Sequence, residues 1–223
     1  MKKSILVLAA VIVAFTETSG KSNEEKAAEE LIKQELSQVL YDFESYEPIA
    51  TVVAEAKDIP TNNDGCIRQA RTAIGHLERV NKHLKDVTSA RKNMNYWGPP
   101  TRNSSSYSDS KYYESKKDYV LAMIITNVFI KLYNSTIDDL ETMMKNTKPT
   151  ETIGYNVAHS FYYRTKSGFL TVANCRFVTD KNFERIIFIE VIGNDLYNAT
   201  DLIKSVQNGC GKIDTLDWKK YTK

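Results

Sequence analysis

The residues best suited to chemistry lie in the last third of the chain. His159 falls within residues 153–164, where large and small side chains alternate as they do along a β-strand. The imidazole shares the large-residue face with Val157 and Phe161, so we expect it to point inward. Glu190 lies in a second predicted strand, RIIFIEVI, and should also point inward. If the two meet on one sheet face, they form either an acid–base pair or a structural hydrogen bond.

Two basic residues mark the turn that follows the His159 strand. Arg164 directly precedes a Thr-Lys-Ser-Gly sequence, and Lys166 is its second residue. Such a sequence is typical of a hairpin turn. At a hairpin tip these cations can hold an anionic ligand, or they can simply be solvated. We therefore include both in a candidate polar site with His159 and Glu190.

Aromatic residues are concentrated around a predicted helix–helix connection. They are Tyr96, Trp97, Tyr107, Tyr112 and Tyr113. Tyr and Trp exposed on a loop can stack on sugar rings or become buried at a protein interface. Because the chain contains 13 Tyr, some clustering is also expected from composition alone.

Other chemical signatures are missing from the sequence. We find no phosphate-binding or dinucleotide-binding glycine loop and no hydrolase nucleophile motif. The three His and the three Cys (Cys66, Cys175 and Cys210) are widely scattered, so neither a metal nor a cofactor is expected. The odd number of cysteines leaves at least one thiol unpaired, and a disulfide between the other two stays open.

The N-terminus has the pattern of a secretory signal peptide. A basic start at Lys2 and Lys3 precedes the apolar run 5–15 and the small residues 18–20. Residues 1–20 are therefore predicted to direct export to the periplasm, the cell surface or the medium. The alternatives are an uncleaved anchor and a buried helix. Without them the formal charge falls from +2 to +1, since Lys2, Lys3 and Glu17 are lost. Such a neutral chain is not typical of nucleic-acid binders, and we expect no membrane span after the leader.

The remaining chain is predicted to form a single α+β domain, 21–223. Apolar residues at spacings of three and four indicate three helices, and after Pro149 the period changes to two. The predicted fold has a helical part (21–148) with a long antiparallel helix hairpin, packed on an antiparallel sheet of three to four strands with a final helix (149–223). The predicted helices are 23–43, 64–95, 110–146 and 195–208, and the predicted strands are 153–164, 169–178 and 185–192. Residues 41–60 are expected to be an ordered, partly extended connection.

Two segments resemble small uncharacterised exported proteins of Bacteroides-type bacteria, many of which carry a lipoprotein cysteine that this chain lacks. One is DFESYEPIAT, with a Ser-Tyr-x-Pro motif; the other is HSFYYRTKSGFLTVANCRFVTDKNFERI. The matching positions in the second are His159, Phe161, Arg164, Lys166, Gly168, Phe177, Asp180 and Lys181. The resemblance implies export and fold, and it implies no activity.

Three classes of function remain. The first is a non-enzymatic binding module that recognises a protein or glycan of the cell envelope. The second is a hydrolase-like enzyme with a site near His159 and Glu190, and the third is a structural accessory of a surface complex. An open cleft at His159 favours the enzyme, whereas a sealed His159 together with an exposed aromatic patch favours the binding module.

Overall fold

The structure is a computed structural model that describes residues 21–193 and 198–217. The predicted signal peptide and the predicted start of the last helix lie outside the described residues. The described chain divides into two compact units, one of residues 21–64 and 147–193 and the other of residues 65–146 and 198–217. The elements are α1 (Asn23–Val39), β1 (Glu47–Lys57), α2 (Asp64–Trp97), α3 (Ser106–Lys145), β2 (Thr152–Arg164), β3 (Leu170–Thr179), β4 (Ile186–Val191) and α4 (Ala199–Gln207). The predicted α+β class is confirmed.

Helix α1 begins with a capping box. The Ser22 hydroxyl accepts a hydrogen bond from the Glu25 amide, and the Glu25 carboxylate accepts one from the Ser22 amide. Ala28, Ile32 and Leu36 recur every fourth residue and are buried against the sheet. The helix ends at Val39, four residues before the predicted end. Residues Phe43–Ser45 form a separate 3-10 turn, so that Phe43 stacks on Tyr46 instead of continuing the helix.

The sheet has four antiparallel strands in the order β1-β2-β3-β4. Three of these strands were predicted individually. The additional strand is β1, which comes from the stretch predicted to be a partly extended connection. β1 lies at the edge of the sheet, and its register shifts between Pro48 and Ala50. An edge position and a bulge are where a strand tolerates proline, which has no N–H to donate. The sequence indicated only a partly extended stretch here, because Pro48 and the Glu and Ala residues obscure the β-branched residues of the strand.

The core of this unit lies between α1 and one face of the sheet. The register places His159 of β2 beside Thr51 of β1 and Cys175 of β3. Val157 and Phe161 share its face and are buried with Phe177. The prediction that His159 points inward is confirmed, since only 1% of the residue is exposed.

Helices α2 and α3 form the predicted antiparallel hairpin. At one end, the Gln69 side chain donates to Asp139, 3.3 Å away. Near the middle, the His83 ring stacks on Phe129 at 5.3 Å between ring centroids. At the other end, Ala90 and Met94 pack with Tyr119 and Met123.

Among the described helices, α3 alone is long and apolar enough to cross a membrane by length and composition. Its most apolar window has a mean hydropathy of 1.5, and 39% of that window is buried. The buried side includes Ala122, Thr126 and Ile130, whereas Leu121, Ile124 and Val128 are exposed. Packing within the hairpin therefore accounts for part of the apolar composition.

Candidate functional site

His159 is held at both ring nitrogens by hydroxyl groups. Its Nε2 lies 3.0 Å from the Tyr46 hydroxyl, and its Nδ1 lies 2.9 Å from the Thr51 hydroxyl. Thr51 in turn donates to Glu29 Oε1 at 2.7 Å. Tyr46 ends the 3-10 turn, Thr51 belongs to β1 and Glu29 belongs to α1. Three elements therefore converge on one imidazole of β2.

The direction of each hydrogen bond follows from the number of protons available. Thr51 has one hydroxyl proton and donates it to Glu29, so its oxygen accepts from His159 Nδ1–H. Burial lowers the pKa of His159 to about 4, so the imidazole is neutral and its Nε2 accepts. Tyr46 must then donate to Nε2. The result is an ordered chain of hydrogen bonds from Tyr46 through His159 and Thr51 to Glu29, which we call the His159 network.

The carboxylate end of the His159 network is held ionised by Lys21. Lys21 Nζ lies 2.6 Å from Glu29 Oε1. Burial raises the pKa of Glu29, but the hydrogen bonds from Lys21 and Thr51 outweigh it and leave the pKa below its usual value. At the other end, burial and the nearby charge of Glu29 raise the pKa of Tyr46 to about 12. At neutral pH the network therefore holds a carboxylate, a neutral imidazole and a protonated phenol.

Both ends of the His159 network reach a surface pocket. The pocket has a volume of about 390 Å³ and is lined by Glu29 and Tyr46, together with Lys26, Glu30, Lys33 and Pro48. The imidazole itself is sealed beneath it. A molecule in the pocket can therefore contact the phenol and the carboxylate, whereas it reaches His159 only through them.

Glu190 does not pair with His159, contrary to the sequence-based expectation. Strand β3 separates the two residues, and the register places His159 beside Cys175 but Glu190 beside Arg176. Neighbouring residues of a strand point to opposite faces, so Glu190 lies on the other side of the sheet. There the Arg176 guanidinium contacts its Oε2 at 3.1 Å and also donates to the Thr61 carbonyl at 2.8 Å. Arg176 and Glu190 thus form a half-buried ion pair that joins the sheet to the end of the β1–α2 connection.

Arg164 and Lys166 lie at the tip of the β2–β3 hairpin, as predicted. Both contact the segment that connects α1 to β1. Arg164 donates to the Gly168 carbonyl at 3.0 Å, and its Nε lies 3.6 Å from Asp42 Oδ2. The Lys166 ammonium lies 5.9 Å from the centroid of the Tyr41 ring. These contacts lie at the surface, and none of them is with His159.

Three of the five predicted aromatic residues form a cluster at the tip of the α2–α3 hairpin. Trp97 contacts Tyr96 edge to face at 5.0 Å between centroids and contacts Tyr107 in the same way at 5.8 Å. Tyr96 is 80% exposed and Tyr107 is 63% exposed. Gly98, with φ of 64°, ends α2 directly after the tryptophan and turns the chain into the loop. We call these three residues the aromatic tip.

Tyr112 and Tyr113 lie one helical turn further along α3 and form a separate pair. Their rings meet edge to face at 5.5 Å. Tyr112 is half-buried against the cluster of Met94 and Tyr119, and Lys116 lies over its ring. Tyr113 is 59% exposed. Tyr112 therefore has a packing role, and Tyr113 extends the exposed aromatic surface.

Sequence reasoning missed three members of the His159 network. Tyr46 belongs to the Ser-Tyr-x-Pro motif, so that motif was the one available signal. Thr51 is a polar residue among β-branched neighbours, and Glu29 is one of several carboxylates on α1. Only the pairing of β1 with β2 and the docking of α1 bring these side chains to His159.

Comparison with protein-family models, curated proteins and solved structures found no match to this chain. Assignment of a function therefore depends on the residues and contacts described above. They provide two surfaces of different character, a polar pocket over the His159 network and an exposed aromatic tip.

Proposed function

We propose that this chain is an exported protein of the cell envelope that binds a glycan through its aromatic tip, without catalysing a reaction. The observation that carries this function is the exposed cluster of Tyr96, Trp97 and Tyr107. The sealed position of His159 supports binding over catalysis, because a substrate has no direct access to the imidazole.

The composition of the tip favours a sugar over an apolar protein surface. The exposed rings carry hydroxyl groups, and the connecting loop 98–105 contributes Thr, Arg, Asn and Ser side chains, with Pro99 and Pro100 as its apolar residues. Aromatic rings present apolar faces to the C–H groups of a sugar, while hydroxyl and amide groups bind its oxygens. A protein partner that buries the same rings is the other member of this class.

Export is part of the proposal and is supported by the leader pattern of residues 1–20 and by the resemblance to exported proteins. The test is expression of the full chain in a bacterium, followed by fractionation and mass spectrometry. The exported product should be shorter by about 20 residues, because signal peptidases remove such leaders. A full-length product in the cytoplasm would contradict this part of the proposal.

The binding test uses a glycan array with the purified protein, beside a pull-down from envelope extract. Trp97→Ala and Tyr107→Ala should each reduce retention on the bound glycan by about tenfold or more, as expected for central aromatic contacts. Tyr41→Ala is the matched control, since Tyr41 is an exposed tyrosine of the other unit and should bind like the wild type. Retention of an envelope protein without any glycan would assign the tip to a protein partner, and no retention of either would refute the binding function.

A hydrolase-like activity is the second candidate, and the pocket over the His159 network is the observation that favours it. Tyr46 is the group a substrate would meet, and the hydrogen bond to His159 Nε2 holds its hydroxyl in place. Its raised pKa makes Tyr46 a proton donor rather than an anionic nucleophile at neutral pH. Hydrolysis of a panel of nitrophenyl esters and glycosides that disappears in Tyr46→Phe would establish this function, and equal background rates for both proteins would exclude it for those substrates.

A further inference from the structure

The C-terminal segment 211–217 is attached to helix α3 by two asparagine side chains. Asn134 donates to the Ile213 carbonyl at 2.8 Å and accepts from the Ile213 amide at 3.0 Å. Asn127 does the same with Leu216, donating at 2.9 Å and accepting at 2.7 Å. Each amide group thus binds both polar groups of one backbone residue, as a neighbouring β-strand does.

The spacing of these two contacts fits an extended chain. Seven residues separate the asparagines, which corresponds to about 10 Å along a helix. Three residues separate Ile213 from Leu216, and three extended residues also span about 10 Å. The segment therefore runs antiparallel to α3 in an extended form, and we call it the C-terminal strap.

Side chains of the strap add to these main-chain contacts. Leu216 packs against the cluster that contains Met94 and Tyr119. Lys212 Nζ lies 2.5 Å from Asp138 Oδ1, and a Cβ at Gly211 would lie 2.9 Å from a methyl group of Val206 and 3.2 Å from one of Ile137. Gly211, Ile213 and Leu216 are half-buried, and the other four residues of the strap are exposed. An extended segment with most of its residues exposed opens more readily than the helices beneath it.

We propose that the surface of α3 bearing Asn127 and Asn134 is a binding groove for extended peptides, which the strap fills in the free protein. The asparagines recognise main-chain groups, so they accept many sequences. Specificity comes from an apolar residue at each asparagine, three positions apart, and from a preceding cation that meets Asp138. The occupant is an extended segment of another protein with this pattern, and the strap acts as its intramolecular competitor.

The test measures binding of a fluorescein-labelled peptide with the sequence of residues 211–217 to the full-length protein by anisotropy. Wild type should bind it weakly, because the strap is present at a high effective concentration. The double substitution Ile213→Pro with Leu216→Pro removes the two N–H groups that donate hydrogen bonds to the asparagines. This strap-released variant should bind the peptide at least about tenfold more tightly than wild type. A peptide with the same two prolines is the control and should not bind.

The role of the asparagines is tested in the strap-released variant. Asn127→Asp with Asn134→Asp keeps the size of both side chains but replaces each donor with an acceptor facing a carbonyl. Peptide binding should fall at least about tenfold, because one hydrogen bond is lost at each end of the contact and a carboxylate oxygen then faces a carbonyl oxygen there. Asn103→Asp, in the exposed connecting loop, is the matched control and should leave binding unchanged.

A measurement on the wild-type chain keeps the proposal open to refutation if the proline variant does not fold. Amide hydrogen exchange at Ile213 and Leu216 should be at least about tenfold faster than in the middle of α3, through local opening of the strap. Exchange that occurs only on global unfolding, or a folded strap-released variant that binds no peptide, would refute the groove. A wild-type dimer that dissociates in the Asn127→Asp, Asn134→Asp variant would make a second copy the occupant and would overturn the assignment to another protein.

Discussion

The His159 network and the aromatic tip use similar side chains in opposite ways. In the network, a tyrosine meets an imidazole that is 1% exposed, and both ring nitrogens have hydroxyl partners. At the tip, two tyrosines meet an indole edge to face and keep most of their ring surface in solvent. The comparison shows that paired polar atoms in a core stabilise one arrangement. Exposed rings that make few contacts within the protein are available to a ligand.

The largest expected effect is the loss of the imidazole. His159→Ala removes a buried ring and leaves the Thr51 hydroxyl and the Tyr46 hydroxyl without their partner. We expect a loss of about 4 kcal/mol in the free energy of unfolding of this unit, from the cavity and the unpaired groups together. Hydrogen exchange of the β2 amides, measured by mass spectrometry, reports on this unit separately from the helices.

A histidine in the other unit provides the control for that substitution. His83 stacks on Phe129 and contacts Asp86 at the helix surface, with 23% of its side chain exposed. His83→Ala should cost about 1 kcal/mol, because it removes one ring stack and an exposed contact with Asp86 but leaves no buried hydroxyl without a partner. Equal destabilisation by the two substitutions would mean that the His159 network contributes no more than a surface contact.

The next effect concerns pH. The pKa of His159 falls from 6.5 in the unfolded chain to about 4 in the folded protein, so between these values the unfolded state binds the additional proton. The stability is therefore fully present above about pH 6.5 and declines as the pH falls toward 4, by about 3 kcal/mol in all. His159→Ala lacks this group, so the difference between the two proteins should shrink as the solution is acidified. Urea unfolding curves at pH 7, 5.5 and 4 measure it, and a constant difference across these values would contradict a neutral buried imidazole.

A smaller effect is expected within the network, where its two hydroxyl groups are not equivalent. Thr51→Val removes the donor to Glu29 and the acceptor for His159 Nδ1 at the same time, whereas Tyr46→Phe removes one donor beside an open pocket. We expect losses of about 2 kcal/mol and about 1 kcal/mol, respectively. Denaturation of both variants beside the wild type checks the order, and a larger loss for Tyr46→Phe would reverse our assignment of the donors.

The sequence predicted the position of helices and strands with a clear hydrophobic period better than it predicted which side chains of different elements meet. The change from helical to alternating spacing after Pro149 located β2 and β3 to within about one residue, and the apolar seams located α2 and α3. The network escaped prediction because Glu29, Thr51 and His159 are brought together by strand pairing and helix docking across more than 100 positions. The pairing of His159 with Glu190 was wrong for a related reason. Alternation along a strand separates its two faces but does not say which face meets the core, and Glu190 lies on the face opposite to His159.

The smallest effect on stability is expected at the aromatic tip, and it completes the comparison. Tyr96→Ser and Tyr107→Ser each remove a ring that is largely exposed, so the free energy of unfolding should change by about 0.5 kcal/mol or less. The same substitutions should abolish most retention on a glycan, because they remove the stacking surface, whereas a folded Tyr46→Phe protein should bind like the wild type. Thermal denaturation and array binding of all three variants measure both quantities. A marked loss of stability in Tyr107→Ser with unchanged binding would make the tip a structural contact between α2 and α3, and the division between a stabilising core network and an available binding surface would then fail.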